Sequence, residues 1–455
     1  MPQTDTLLIS GGRVIDPSQG FDALADVLLS EGKVAWMGRS GETPPQKPAC
    51  VLSAKGLVVC PGFIDLHCHL REPGYEDKET IGTGTLAAAR GGFTTVCCMP
   101  NTNPPLDSRA AVEFVIRRAR ETGAVRVLPV ACVTRGRKGQ ELAEMADLAQ
   151  AGAVGFSDDG DPVASARLMR HALEYALPLG LPVMDHPQDP SLSQGWEMHE
   201  GWVATRLGLR GVPAAAEELA VARDIMLAEL TGGWVHLQHV STAGSVELVR
   251  RAKEKGLKVT SEATPHHLTL THEMVLGKSA EFPGLQPYDT RTRVNPPLRS
   301  LEDVAALVAG LKDGTIDAIA TDHAPHALVD KECEYGLAAS GISGFETAFG
   351  SLMGLVHRGD LDLKTLLSLL PGGPARILKP AGISGLGTLQ VGAPADVAIF
   401  DPDAEWVVEP ESFASKGKNT PLAGATLKGK VVATVYGGKV VHAESSFKVQ
   451  DGGGA

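Results

Sequence analysis

Two histidines, His67 and His69, close the apolar run Leu57 to Leu66. An i, i+2 spacing at a strand exit turns both imidazoles to one side, the arrangement a metal ion needs. Further on, Asn101, Asp158-Asp159, His186, His239 and Asp322 each follow another short apolar run. Four histidines and at least two aspartates without a cysteine ligand make a nitrogen/oxygen donor set best suited to zinc, with Mn, Co or Fe also compatible. Six such ligands exceed one tetrahedral zinc and suit two metals, with an aspartate bridging and one position open to water. Spacing does not choose between Asp158 and Asp159 as the bridge. Two such cations bring the pKa of a shared water into the neutral range, so the expected chemistry is hydrolysis of an unreactive carbonyl or its reverse.

Ligands so far apart in sequence need a fold that gathers strand ends. Eight apolar runs are spaced along the chain: Val58 to His67, Thr94 to Met99, Val125 to Cys132, Ala153 to Ser157, Pro182 to Asp185, Trp234 to Gln238, Leu257 to Glu262 and Ala318 to Thr321. Between them lie stretches of helical period, among them Lys78 to Arg90, Ser108 to Glu121, Ala164 to Leu179, Ala214 to Leu230, Ala243 to Lys255 and Leu301 to Lys312, with Asp107 and Ser108 as caps. Alternation of this kind predicts an α/β fold, a (β/α)8 TIM barrel whose strand C-termini share one mouth. Both ends of the chain read instead as short strands. Leu7 to Ile9, Arg13 to Ile15, Val27 to Leu29 and Val34 to Met37 are separated by Gly11-Gly12 and Glu31-Gly32, and Asp396 to Phe400 and Val431 to Tyr436 lead to Gly437-Gly438. The expected organisation is a small composite β-sandwich from residues 1–56 and 385–455 around a barrel at 57–384.

Of the 455 residues, 43% are hydrophobic and 21% charged, with 52 Gly and 30 Pro, a composition that supports a large core with many tight connections. A formal charge of −12 without a basic run argues against nucleic acid as a partner. No stretch of 18 apolar residues and no charged-then-apolar leader occurs, so the expectation is a cytoplasmic protein with no membrane partner. Seven cysteines without a Cys-x-x-Cys fit reduced packing residues. Cys68, between the two histidines, points to the opposite face and is expected to pack.

His67-Cys68-His69-Leu70-Arg71-Glu72-Pro73-Gly74, Met99 to Thr102, Phe156 to Gly160, Asn295 to Arg299, and Ala320 to His326 together resemble the dihydroorotases of the long bacterial type, among the cyclic amidohydrolases. The resemblance extends to Ser415 to Pro421. It implies that His67 and His69 hold a first zinc, His186 and His239 a second, and Asp159 bridges the two. Asp322 would touch the first metal and serve as the catalytic acid and base. The implied reaction is the reversible cyclisation of N-carbamoyl-L-aspartate to dihydroorotate in pyrimidine (UMP) biosynthesis. The implied substrate contacts are His69, Arg71, Asn101, Asn295, His326, Ser340 and Gly341, with Arg71 gripping a carboxylate through its fork. His266 and His267 match the family pattern without being ligands, and the stretch His326 to Gly341 is a candidate lid.

Two places depart from the family pattern. His186-Pro187-Gln188-Asp189 stands where His-Cys-Glu-Asp is usual, and Ala339-Ser340-Gly341 replaces Pro-Phe-Gly. The lysine that carries the bridging carbamate in hydantoinases is lacking, and an aspartate supplies the bridge. Competing readings are another cyclic amidase, of hydantoinase or allantoinase type, and a catalytically silent scaffold for aspartate carbamoyltransferase. A homodimer and a complex with that carbamoyltransferase are left open.

Overall fold

A computed structural model of the chain describes residues 6–277, 281–445, 447 and 449–451. Five strands come first: β1 (Thr6–Asp16), β2 (Phe21–Ser30), β3 (Lys33–Arg39), β4 (Cys50–Ser53) and β5 (Val58–Pro61). Gly11-Gly12, expected to lie between strands, is instead a bulge inside β1, where the register on β2 shifts between Ile9 and Gly12. Gly11 has φ of 76° and its N–H donates to Asp26 Oδ1 at 2.7 Å, so the chain bulges without leaving the sheet. The short β4, parallel to β1, was not anticipated.

The first apolar run divides at Gly62. Its leading half, β5, pairs with β1 in the terminal sheet, and only the second half, β6 (Phe63–Cys68), enters the barrel. A β-carbon at Gly62 would stand 2.3 Å from Thr94 Oγ1, which explains the glycine at this crossing. The first strand of the barrel therefore begins at Phe63, and Val58–Pro61 pairs in the terminal sheet. Strands β7 (Phe93–Cys98), β8 (Arg126–Pro129) and β9 (Val183–Asp185) follow, then a short ribbon of β10 (Met198–His199) with β11 (Gly211–Val212), and β12 (Val235–Leu237), β13 (Val259–Ala263) and β14 (Ala318–Ile319). The run Ala153 to Ser157 contributes only Phe156, bridged to Ala131 on one side and Val183 on the other. All the barrel pairings are parallel. A Cys68–His323 bridge, with His69 N donating to His323 O at 2.9 Å, links the first strand exit to the last. The eight runs thus occupy the eight positions of a closed barrel.

The helices pack outside as the periodicity predicts, for example Ile81–Arg90, Ala215–Thr231, Ala243–Glu254 and Leu301–Lys312. Thr80, Ser165, Thr242 and Ser300 cap their helices by side-chain bonds. Ser108 stands at its N-cap without such a bond, and Asp107 accepts from Gly136 N in the next loop instead. β15 (Val397–Val407), β16 (Thr426–Tyr436), β17 (Lys439–Ala443) and β18 (Val449–Asp451) complete a nine-stranded sheet with β1 to β5. Residues of β1, β2, β4, β5, β15 and β16, among them Ile9, Val27, Leu52, Val59, Ile399 and Val435, meet in one core. Both chain ends thereby form a unit that backs the barrel. Among the described residues no helix is long and apolar enough to cross a membrane.

Candidate metal centre

Every expected ligand lies within three residues of a barrel strand end or, for Asp159, of the Phe156 bridge, and all six are buried. Asp159 is the hub. Its Oδ1 is 3.3 Å from His67 Nε2 and 3.5 Å from both His186 Nδ1 and His239 Nε2, while its Oδ2 is 3.5 Å from His69 Nε2. Asp322 Oδ1 is 3.0 Å from His69 Nε2 and 3.6 Å from His67 Nε2. Two tight groups of donors result: His67, His69 and Asp322, and His67, Asp159 and His239. They overlap at His67, which the family resemblance assigns to the first metal alone. His186 belongs to neither group, though its Nδ1 is 2.8 Å from His239 Nε2.

The donor set fits divalent cations. Among the described residues, buried His67 Nε2, the nitrogen turned to Asp159 and Asp322, has no hydrogen-bond partner, a costly state unless something else satisfies it. Tautomers support the same reading. His67 Nδ1 donates to Glu262 Oε1 at 2.9 Å and His69 Nδ1 to Asn101 Oδ1 at 3.0 Å, which leaves each Nε2 free to ligate. His186 Nε2 lies 3.0 Å from Gln188 Oε1 and 3.2 Å from Asn295 Nδ2; the shorter contact takes the proton and turns Nδ1 toward Asp159. Gln188, at the departure from the family pattern, thus keeps an orienting oxygen.

Burial is the largest single influence and would raise Asp159 and Asp322, but the histidines together outweigh it, His67 with His186 and His239 at Asp159 and His67 with His69 and His239 at Asp322, and both carboxyls are held well below the usual range. Backbone strain gathers here too. Arg71, His239 and Asp322 have φ of 62°, 33° and 45°, the left-handed region that side-chain-bearing residues rarely adopt. Asp65 helps to over-determine it: its carboxylate accepts from Thr321 N at 2.8 Å and Thr321 Oγ1 at 2.6 Å, tying the first strand to the residue before Asp322.

Glu262 was read from sequence only as the end of a strand. It is fully buried and accepts from His67 on one oxygen and from His236 Nε2, at 3.1 Å, on the other. Burial pushes it upward, yet the bonds from His236 and His67 prevail and hold it at about 2. His236 extends the chain to Thr260. Cys68 packs as expected, its Sγ 3.3 Å from Cys97 O.

On the outer side, Arg71 Nε donates to Pro325 O at 3.2 Å, and its guanidinium lies where the charges of Asp322 and Asp159 act on it. Beside it His326 donates through Nε2 to Ser340 O at 2.8 Å. Burial, then Arg71 and Lys331, lower His326 to about 2, so it is a neutral imidazole. Asn295 reaches Gln188 Oε1 at 3.2 Å. The Gly341 N–H is committed to Arg293 O at 2.9 Å and the Ser340 carbonyl to His326. His267 is locked between Thr264 and Pro296 O, as a packing role predicts. A cleft of about 410 Å³ lies elsewhere, between helix Phe345–His357 and the terminal sheet.

Buried histidines and aspartates converging at the C-terminal mouth of a closed parallel barrel define a metal-dependent hydrolase of the amidohydrolase type. The L-hydantoinase of Arthrobacter aurescens superposes with a TM-score of 0.85 at 25% identity, covering 98% of each chain, and a dihydropyrimidinase of Brevibacillus agri with 0.80 at 23%, covering 98% of this chain and 97% of that one. A family model described as dihydro-orotase-like matches residues 56–245. A dihydroorotase of Pelotomaculum thermopropionicum is 54% identical over 436 residues, 96% of this chain and 98% of that protein, and one of Geobacter sp. (strain M21) is 51% identical over 96% and 99%. The chain belongs to the dihydroorotase family.

Proposed function

We propose that the chain interconverts N-carbamoyl-L-aspartate and dihydroorotate, the ring-closing step of pyrimidine synthesis, at a site holding two zinc ions. The observation that carries the reading is the convergence of four histidines on Asp159, with Asp322 and Arg71 on the open side. Cations held there supply an electrophile for the carbonyl and acidify water. His67, His69, Asp159, His186, His239 and Asp322 would hold them. Asp322, the most exposed of the six at 7%, is placed to move protons. In ring opening, water oxygen bonds to the ring carbonyl carbon, Asp322 takes the water's proton, the C–N bond breaks, and the proton passes to the departing nitrogen. Ring closure runs the same steps backward and releases water. Arg71 and His326, with Asn101 and Asn295, bind the substrate's carboxylate and ureido groups; Ser340 and Gly341 shape that wall.

The test is an assay of metal-loaded protein with both compounds and with hydantoin and allantoin. Interconversion of the first pair is expected; turnover of hydantoin or allantoin alone would overturn the reading. Zinc analysis is expected to find two ions per subunit, whereas a chain that stays metal-free would be a scaffold. The reduced cysteines, six buried and Cys333 exposed, suit a cytoplasmic enzyme. Sedimentation of the chain alone and mixed with aspartate carbamoyltransferase decides between a homodimer, a complex and a lone subunit.

A further inference from the structure

Lys331 has the composition of a surface residue and the setting of a core one. It lies in the loop from His326 to Gly341, where Leu328, Val329 and Leu337 are 67%, 77% and 75% exposed, yet Lys331 itself is 5% exposed. Its Nζ donates to Ala339 O at 2.5 Å, Thr290 O at 3.2 Å and Arg293 O at 3.3 Å. An ammonium has three donors, and all three end on backbone carbonyls from two separate loops. Among the described residues no carboxylate bonds it, so the group does not serve as half of an ordinary ion pair.

What those carbonyls lead to gives the lysine its meaning. Ala339 precedes Ser340, whose carbonyl holds the His326 ring beside Arg71. Arg293 lies two residues before Asn295, and its carbonyl also accepts from Gly341 N. Thr290 Oγ1 returns the contact by donating to Lys331 O at 2.6 Å. Arg293 Nη1 donates to Tyr335 O at 2.7 Å, and Thr292 Oγ1 lies 3.3 Å from the Tyr335 hydroxyl.

We propose that Lys331 is a positioning residue for substrate recognition, its ammonium fastening the His326–Gly341 loop to the Thr290–Asn295 loop so that His326 and Asn295 face the substrate together. The inference rests on the dihydroorotase reading of the site. It assigns Lys331 an effect on substrate affinity and none on the metals, which no hydrogen bond from it reaches.

The experiment uses the full chain loaded with zinc, compared with Lys331→Met and Lys331→Gln. For Lys331→Met, KM for dihydroorotate is expected to rise about tenfold or more, equivalent to roughly 1.4 kcal/mol of binding, with kcat within about threefold and zinc content unchanged. Lys331→Gln keeps two N–H donors and should give an intermediate KM; it carries the test if the Met variant does not fold. Unchanged KM in a folded variant overturns the proposal. So does loss of kcat in proportion to folded protein, the mark of a merely structural residue. Hydrogen exchange separates this proposal from the functional reading. Amides of Lys331 to Gly341 should exchange faster in the Met variant even if the wild type proves inactive toward dihydroorotate, and unchanged exchange would refute the fastening itself.

Discussion

The floor and the outer wall of the barrel mouth are built by different means. On the floor, His67, His69, Asp159, His186, His239 and Asp322 sit on or just past strand ends, and the hydrogen-bonded barrel fixes their Cα positions. The wall residues Arg71, Asn295, His326, Ser340 and Gly341 sit on loops, which hold their shape through long-range ties such as Lys331 to Thr290 and Asn419 Nδ2 to Ala324 O and Gly341 O, the latter two at 3.0 and 2.9 Å. The rigid floor suits chemistry that tolerates little displacement, while the tied loops can differ in sequence and still form a pocket. Substitutions on the floor should therefore remove metal or turnover, and those in the wall should change KM.

The largest effect is expected at His67, the residue shared by both donor groups. His67→Ala should lose bound metal and activity together, measured by metal analysis and the ring-opening assay; full metal content would break the assignment. Next comes Asp322→Asn, which keeps an oxygen ligand but no proton acceptor. Turnover should fall by about 10²–10⁴-fold, the range for general acid–base groups, while the metals remain. Activity near that of the wild type would remove Asp322 from the proton path.

Glu262→Gln probes how the floor is itself supported. Loss of the carboxylate behind His67 should weaken metal binding by about 10–100-fold, the usual cost of losing such a partner, read by competition with a chelator. A pH signature accompanies it. Folded Glu262 holds its proton only below about 2, whereas the unfolded group takes it up near the ordinary carboxyl value. The unfolded chain thus binds more protons in between, and the stabilisation present above that ordinary value is lost as pH falls toward 2. Urea midpoints of the metal-free protein should drop less between pH 5 and pH 3 in Glu262→Gln than in the wild type.

The same contrast explains what could be read in the sequence. The convergence of the floor residues was legible because residue type and local position coincide: a histidine or aspartate right after an apolar run is visible without knowing the partner strand. The eight barrel positions were legible for the same reason, although Gly62 divides the first run and Phe156 forms only a bridge. Glu262 was not, because its partner His67 lies 195 residues away and a strand-end glutamate carries no local mark. Lys331 resembled any surface lysine until its carbonyl partners came together. In β1 the Gly11-Gly12 pair looked like a turn, since a bulge and a turn ask for the same backbone freedom, and only the pairing with β2 separates them.

The smallest effect, and the sharpest measure of wall against floor, is expected at Arg71. Its backbone is on the floor side, two residues past His69 and strained at φ 62°, while its guanidinium reaches outward to Pro325 O and toward His326. Arg71→Lys keeps the charge near Asp322 and Asp159 but replaces a planar fork with a point donor. If the fork grips a substrate carboxylate, KM for dihydroorotate should rise by about tenfold, roughly 1.4 kcal/mol, at nearly constant kcat and metal content. Should kcat fall while KM holds, Arg71 would belong with the floor, shaping Asp322 through their shared field, and the boundary between the two regions would run outside the guanidinium instead of through Arg71.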